Sequence, residues 1–221
     1  MLRLMFATTA LYSGCRALPN GLGRLPGLGW NSDYCTNRTD PPLVDGRVGS
    51  GLHQPFGYGG EHFVKRIADH MHTVKHGGKT LQELGFKYIN MDASWDTYNR
   101  SSTGDLVPDP KLWPSGLDHT VSYVHSLGLG FGLYGDRGTL DCARHPGAQG
   151  HEEQDGLWMG KHKIDWYKED ACYASGAQPA ALAAYGKMRD ALNMSGYPGP
   201  HRKPFLSCGL HALCHSAFSR C

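Results

Sequence analysis

The chain has 221 residues and a formal charge of +2, with 40% hydrophobic and 19% charged residues, 30 glycines and 13 prolines. This length suits one domain with a sizeable core, and the composition is that of a loop-rich globular chain rather than a disordered one. The basic residues form no dense run, which argues against a nucleic-acid partner. No apolar stretch approaches the roughly 20 residues that cross a bilayer, which argues against a membrane partner.

The first 25 residues contain a candidate signal peptide, since Leu4 to Tyr12 is apolar and follows Arg3. The alternative is a buried N-terminal strand or helix. Seven cysteines occur without a C-x-x-C pair, which favours disulfides over a zinc site. Glycosylation sequons begin at Asn37, Asn99 and Asn193. Together these features predict a secreted or lysosomal/vacuolar protein.

Five short apolar segments alternate with helical patterns along the chain. Strands are predicted at 27–32, 87–92, 130–136, 164–170 and 203–207, and helices at 61–71, 113–127, 151–162 and 177–192. This alternation predicts βαβ units and a parallel sheet, either a barrel or a doubly wound sheet. No glycine-rich phosphate loop follows a strand, whereas three strands end in Asp, which favours a (β/α)8 TIM barrel with five of its eight strands present.

The three strand-end acids are Asp92, Asp136 and Asp170, each one βα unit from the next. In a barrel their carboxylates would converge on one rim. Carboxylates there can bind sugar hydroxyls, and one can attack an anomeric carbon. The alternative is that each acid caps the following turn or helix.

Three further side chains are candidates for the same rim. Lys168 lies two residues before Asp170, so both face one side of the strand, where the cation would keep Asp170 ionised. A purely structural ion pair is the alternative. Trp30 and Tyr134 could stack on the apolar face of a sugar, although aromatic residues at such positions also serve as core.

Six segments make the interpretation more specific. They are LGWNS at 28–32, KYINMD at 87–92, WPSGL at 113–117, VHSLGLGFGLY at 124–134, GTLDCA at 138–143 and KMRDAL at 187–192. In order and spacing, from about residue 26 to 208, the chain resembles the α-galactosidase and α-N-acetylgalactosaminidase family of retaining glycosidases.

The resemblance implies a role for each matching position. Asp170 matches the nucleophile, and Cys142 with Cys172 matches a disulfide beside the site. The substrate-binding positions are matched by Trp30, Asp92, Tyr134 and Lys168. The implied substrate is an α-galactoside, and neither a metal nor an organic cofactor is implied.

Several departures limit what the resemblance implies. Ala93 stands where the family has a second acid, and Glu169 stands where it has an aromatic residue. Beyond Cys208 the match ends, so residues 209–221 form a divergent tail and no residue corresponds to the family's acid/base. We therefore expect a truncated α-galactosidase with weak or no turnover; the alternatives are an α-N-acetylgalactosaminidase and a non-catalytic galactose-binding remnant. The sequence predicts no oligomeric state.

Overall fold

The computed structural model describes residues 27–32 and 60–197, together with the backbone of 205–208. The strands of the main sheet are β1 (Gly29–Asn31), β4 (Tyr88–Met91), β5 (Gly130–Asp136), β6 (Trp166–Asp170) and β7 (Phe205–Cys208). Two short strands, β2 (Lys75–His76) and β3 (Lys79–Thr80), form a second sheet. The helices are α1 (Glu61–Thr73), α2 (Leu117–Ser126), α3 (Glu152–Lys161) and α4 (Gln178–Met194). The predicted signal segment and the divergent tail lie outside the described residues.

The main sheet has five strands in the order β1-β4-β5-β6-β7, and every neighbouring pair is parallel. This order follows the chain without reversal, whereas a doubly wound sheet changes direction at a switch point. Steady progression in one direction is the way a barrel wall is built. The prediction of a barrel-type parallel sheet with about five strands is therefore confirmed.

The helices form where apolar residues recur at helical spacing. In α1 the buried positions Val64, Ala68 and Met71 lie four and three residues apart, and in α2 Val121 and Val124 continue the same pattern. Such spacing gives each helix one apolar stripe, which must be covered by another element. Helix boundaries predicted from the sequence are correct to within four residues at each end.

The core lies between these helices and one face of the sheet. Alternate strand residues, namely Ile89, Met91, Phe131, Leu133 and Tyr167, are almost fully buried in the same cluster as the helix stripes. Because side chains alternate along a strand, the residues between them point to the opposite face. The polar and aromatic residues Asn90, Tyr134, Trp166 and Lys168 lie there.

The hairpin of β2 and β3 is an element that the sequence interpretation missed. Gly77 and Gly78 connect the strands with φ angles of 62° and 90°. A two-residue hairpin turn with positive φ at both central positions favours glycine, so the Gly-Gly pair was the available signal. In the described part of the chain, no helix has both the length and the apolar character needed to span a membrane.

Candidate active site

Four of the predicted site residues meet at the carboxyl end of the parallel sheet. Asp92 directly follows β4, Tyr134 lies in β5, and Lys168 and Asp170 lie in β6. Tyr134 is the register partner of Lys168, which places both side chains on the face opposite the helices. The strand geometry thus collects these residues from segments up to 78 positions apart, as the sequence numbers 92 and 170 show.

Asp92 and Lys168 form an ion pair on the floor of the site. The Nζ atom of Lys168 donates to Oδ2 of Asp92 at 2.6 Å, and it lies 5.0 Å from the ring centroid of Tyr134. The backbone N–H of Asp92 donates to the Ser32 hydroxyl at 2.8 Å. The aspartate is 2% exposed. The ion pair therefore places one acceptor and one donor, both charged, in fixed positions.

Asp170 has a defined orientation and one accessible side. Its Oδ1 accepts the N–H of Ala171 at 2.9 Å, and its Oδ2 accepts the hydroxyl of Tyr134 at 3.3 Å. Burial raises the pKa of Tyr134, and the charges of Asp170 and Asp136 raise it further, so the phenol keeps its proton and can donate. The Asp170 side chain is half-buried, which leaves the carboxylate within reach of a ligand.

A disulfide between Cys142 and Cys172 closes one side of the site. The Cα atoms are 5.2 Å apart and 30 residues apart in sequence. The Cys142 sulfur accepts a hydrogen bond from the Tyr134 hydroxyl at 3.1 Å and lies 3.5 Å from Oδ2 of Asp170. The bridge therefore fixes the loops after β5 and β6 against the carboxylate. This is the bonded pair that the resemblance implied.

The donor atoms of Asp136, Cys142, Asp170 and Cys172 lie within 4.8 Å of one another, as the ligands of a metal ion would. In the disulfide form neither sulfur is a thiolate ligand. Only two carboxylates remain, and both already accept backbone hydrogen bonds. A structural zinc site normally supplies four protein ligands, so the disulfide form is not a structural zinc site.

Asp136, the third strand-end acid, binds backbone N–H groups of the loops that follow β5 and β6. Its two oxygens accept the N–H groups of Gly138 at 2.7 Å and Cys172 at 2.6 Å, and its side chain is completely buried. Burial raises its pKa to about 6, with further contributions from Asp170 and Asp141, although the two hydrogen bonds act in the opposite direction. This arrangement corresponds to the turn-capping alternative.

Trp30 does not join the other predicted site residues. It pairs in register with Ile89, so both side chains lie on the helix-facing side of the sheet. Its ring packs edge-on against Phe63 of α1, with centroids 5.3 Å apart. The structure places it at the margin of the core.

A histidine–aspartate pair near this rim was not predicted. His145 Nδ1 lies 2.9 Å from Oδ1 of Asp96, both side chains are buried, and the Tyr98 ring lies 4.3 Å from the His145 ring. Burial lowers the pKa of His145, but the hydrogen bond and charge of Asp96 outweigh it and raise the pKa overall. The partners are 49 residues apart in irregular loops, so no periodicity or motif could have paired them.

Comparison with known proteins identifies the family of this chain. A family model described as Alpha galactosidase A matches residues 54–208, which is more than half of the chain. The fold, the order of the motifs and this match define a member of a glycoside hydrolase family. The chain belongs to the alpha galactosidase A family.

Relatives and solved structures agree with that assignment. The chain is 35% identical to Alpha-galactosidase 3 of Arabidopsis thaliana over 190 residues, which cover 85% of this chain and 37% of the relative. It is 36% identical to the alpha-galactosidase of Coffea arabica, over 84% of this chain and 42% of the relative. The solved alpha-galactosidase of Saccharomyces cerevisiae with raffinose superposes with a TM-score of 0.70 and 27% identity, over 89% of this chain and 38% of that chain. The chain thus spans about two fifths of the length of these relatives.

Proposed function

We propose that this chain carries the nucleophile side of a retaining α-galactosidase site. The observation that supports the proposal best is the position of Asp170, a half-buried carboxylate at the carboxyl end of β6, oriented by the Tyr134 hydroxyl and enclosed by a disulfide. A nucleophile requires this combination of fixed direction and access.

In the proposed reaction a carboxylate oxygen of Asp170 forms a bond to the anomeric carbon of an α-linked galactose. The bond to the leaving oxygen breaks, and that oxygen takes a proton from an acid. Water then hydrolyses the resulting glycosyl ester, releasing galactose and regenerating Asp170. The Tyr134 hydroxyl and the Ala171 N–H would hold the carboxylate in direction during the attack.

Asp92 and Lys168 are the proposed sugar-binding groups. Their ion pair offers acceptor oxygens and N–H donors beside the nucleophile, so that adjacent hydroxyls on one sugar ring could be bound at once. Ala93, where the family has a second acid, can supply no hydroxyl contact through its methyl group. We therefore expect galactose to bind more weakly here than in a site with both acids.

The second carboxyl of a retaining pair lies about 5 to 5.5 Å from the nucleophile. No residue of the 221 corresponds to that acid in the family pattern. For the chain by itself we accordingly propose slow or undetectable hydrolysis of natural glycosides, because their leaving oxygen needs a proton. An activated substrate removes this need.

The test uses α-galactosyl fluoride, whose fluoride leaves without protonation. We expect the purified chain to release about one equivalent of fluoride and to gain one hexosyl group on the peptide that contains Asp170, as detected by mass spectrometry. The Asp170→Asn variant should do neither. Labelling of the chain at another residue, or equal labelling of the variant, would overturn the assignment.

A non-catalytic galactose-binding protein is the second candidate, favoured because Asp92 and Lys168 form a charged pair while no residue matches the acid/base of the family pattern. Galactose binding by a chain that α-galactosyl fluoride does not label would support this candidate. Galactose and N-acetylgalactosamine should be compared in the same titration, since the family acts on both.

We also propose that the protein is exported and carries a glycan at Asn99. Asn99 is exposed, whereas Asn193 is partly buried on the last turn of α4. A sequon on an exposed loop can hold a bulky glycan without disturbing packing. Expression in a eukaryotic secretory host should give a glycosidase-sensitive species in the medium, and Asn99→Gln should lower the mass that the glycosidase removes by one glycan.

A further inference from the structure

Two histidines meet at the end of the molecule opposite Asp170. His70 lies in the last turn of α1 and His76 lies in β2. Their Nε2 atoms are 3.2 Å apart and their ring centroids are 5.3 Å apart. Both residues are exposed. Two ring nitrogens from separate elements are therefore directed at one accessible point.

The backbone holds both rings in place. Helix α1 ends just beyond His70, whose carbonyl accepts the Val74 N–H at 3.0 Å, and the chain turns at once into the β2–β3 hairpin. The carbonyl of Met71 accepts the Gln82 N–H at 3.1 Å, which ties the end of the helix to the segment after the hairpin. The rings are thus brought together by short, hydrogen-bonded segments.

The spacing of the two nitrogens fits a metal chelate. Each neutral imidazole has one ring nitrogen with a free lone pair, and imidazole is a preferred ligand of zinc and copper. With zinc–nitrogen bonds of 2.0 to 2.1 Å and tetrahedral angles, two bound nitrogens lie about 3.4 Å apart. The observed 3.2 Å is close to this value. We propose that His70 and His76 bind one divalent metal ion of the zinc and copper class, with water completing its coordination.

The location gives such an ion a stabilising role rather than a chemical one. In a parallel βα unit the helix runs back towards the amino ends of the strands, so the end of α1 lies away from the carboxyl-end rim that holds Asp170. A bound ion would join α1 to the hairpin. Lys75 and Lys79 flank His76 on the hairpin and oppose a cation, so two-histidine binding should be weaker than in a site with three or four ligands.

The test is a zinc titration of the full chain at neutral pH by calorimetry, with the single variants His70→Ala and His76→Ala. The matched control is His62→Ala, an exposed histidine at the other end of α1. We expect each site variant to weaken one zinc-binding event by at least about tenfold, and the control to leave it unchanged. Zinc should also raise the Tm of the wild type and of the control, but not of the site variants.

A spectroscopic measurement separates chelation from a simple hydrogen bond between the rings. With Cu²⁺ as the probe, electron paramagnetic resonance should show coupling to two nitrogens, reduced to one in either site variant. Unchanged zinc affinity in both site variants would overturn the proposal. So would an equal loss in all three variants, because it would mean non-specific binding by the chain's histidines. Metal-free Tm values close to that of the wild type show that the variants fold.

Discussion

Adjacent residues of β6 place two carboxylates in opposite environments. Asp170 faces the rim, where Ala171 and Tyr134 donate hydrogen bonds to its oxygens. Glu169 faces the helices, is completely buried, and has no hydrogen-bond partner for either oxygen among the described residues. Burial raises the pKa of Glu169 well above its usual range, and the charge of Asp136 raises it further. Because neighbouring strand residues face opposite sides, Asp170 is a candidate reacting group whereas Glu169 is a buried acid that weakens the fold.

The largest expected effect comes from the rim. Asp170→Asn removes the proposed nucleophile but keeps the size of the side chain and one of its two acceptor oxygens. We expect galactosyl transfer from α-galactosyl fluoride to fall by at least ~10³-fold. The free energy of unfolding should change by no more than about 1 kcal/mol, as measured by urea denaturation. A loss of stability large enough to unfold the variant would explain the lost transfer by itself. Asp170 would then be a structural residue, as the buried residues beside it are.

The second prediction concerns the other face of β6. Glu169→Met replaces an unpaired buried carboxyl with an apolar side chain of similar length. We expect the free energy of unfolding at neutral pH to rise by ~1–3 kcal/mol, because an unsatisfied buried polar group no longer has to be desolvated. Urea denaturation measures the change, and Glu169→Gln, which keeps a polar group, should gain less. A destabilised Met variant would show that Glu169 has a polar partner in solution.

The pH dependence of stability follows from several buried acids. Burial raises the pKa values of Asp136 and Asp141 to about 6, and Glu169 shifts in the same direction. Each folded carboxyl therefore holds its proton more tightly than the unfolded one. The contribution of these protonated acids to the free energy of unfolding is fully present below their unfolded pKa. It is lost as pH rises through their folded pKa, at ~1.4 kcal/mol per pH unit for each proton released.

Glu61 has the opposite effect, because its contribution to stability is lost at low pH. Burial disfavours the charged form of Glu61, but hydrogen bonds from Lys65 and Ser115 outweigh burial and lower its pKa to about 2. That contribution is lost as pH falls from the usual value towards 2. Urea denaturation across this range should therefore give maximal stability near about pH 4 to 5. A free energy of unfolding that rises steadily to about pH 8 would contradict the raised pKa values of the buried acids. The Glu169→Gln variant should lose less stability than the wild type as pH rises above this maximum.

Two glycines in different surroundings should respond in opposite directions to the addition of one methyl group. At Gly132 in β5 a methyl group would lie 2.5 Å from the Asn90 side-chain oxygen, whereas at Gly186 in α4 it would meet nothing within 4 Å. Gly132→Ala should destabilise the fold by ~1–3 kcal/mol through overpacking. Gly186→Ala should stabilise it by up to about 1 kcal/mol, because alanine favours the helix. Tm measurements on both variants check the prediction, and similar shifts in one direction would contradict it.

Local patterns allowed much of the fold to be predicted. The segment 130–136 was recognised as a strand because an apolar run ends at Asp136, and the stripe of Val64, Ala68 and Met71 located α1. The β2–β3 hairpin was missed because strands of two residues carry no periodicity. Its only signal was the Gly77–Gly78 pair.

The site could be predicted only in part, because the sequence identifies candidates but not their partners. No local pattern links Lys168 to Asp92, which lies 76 residues away, although their side chains form an ion pair. The position of Trp30 depends on which side of β1 faces α1, and three strand residues cannot fix that side. Long-range geometry therefore decides which candidates meet.

The disulfide between Cys142 and Cys172 has a topological consequence. It closes a covalent ring of the chain that contains all of α3 and β6, including Lys168 and Asp170. A single protease cut inside this ring would leave both fragments in one molecule, and only reduction would release them. The proposed nucleophile is thereby protected against loss from a nicked chain, and a non-reducing gel would not reveal the nick.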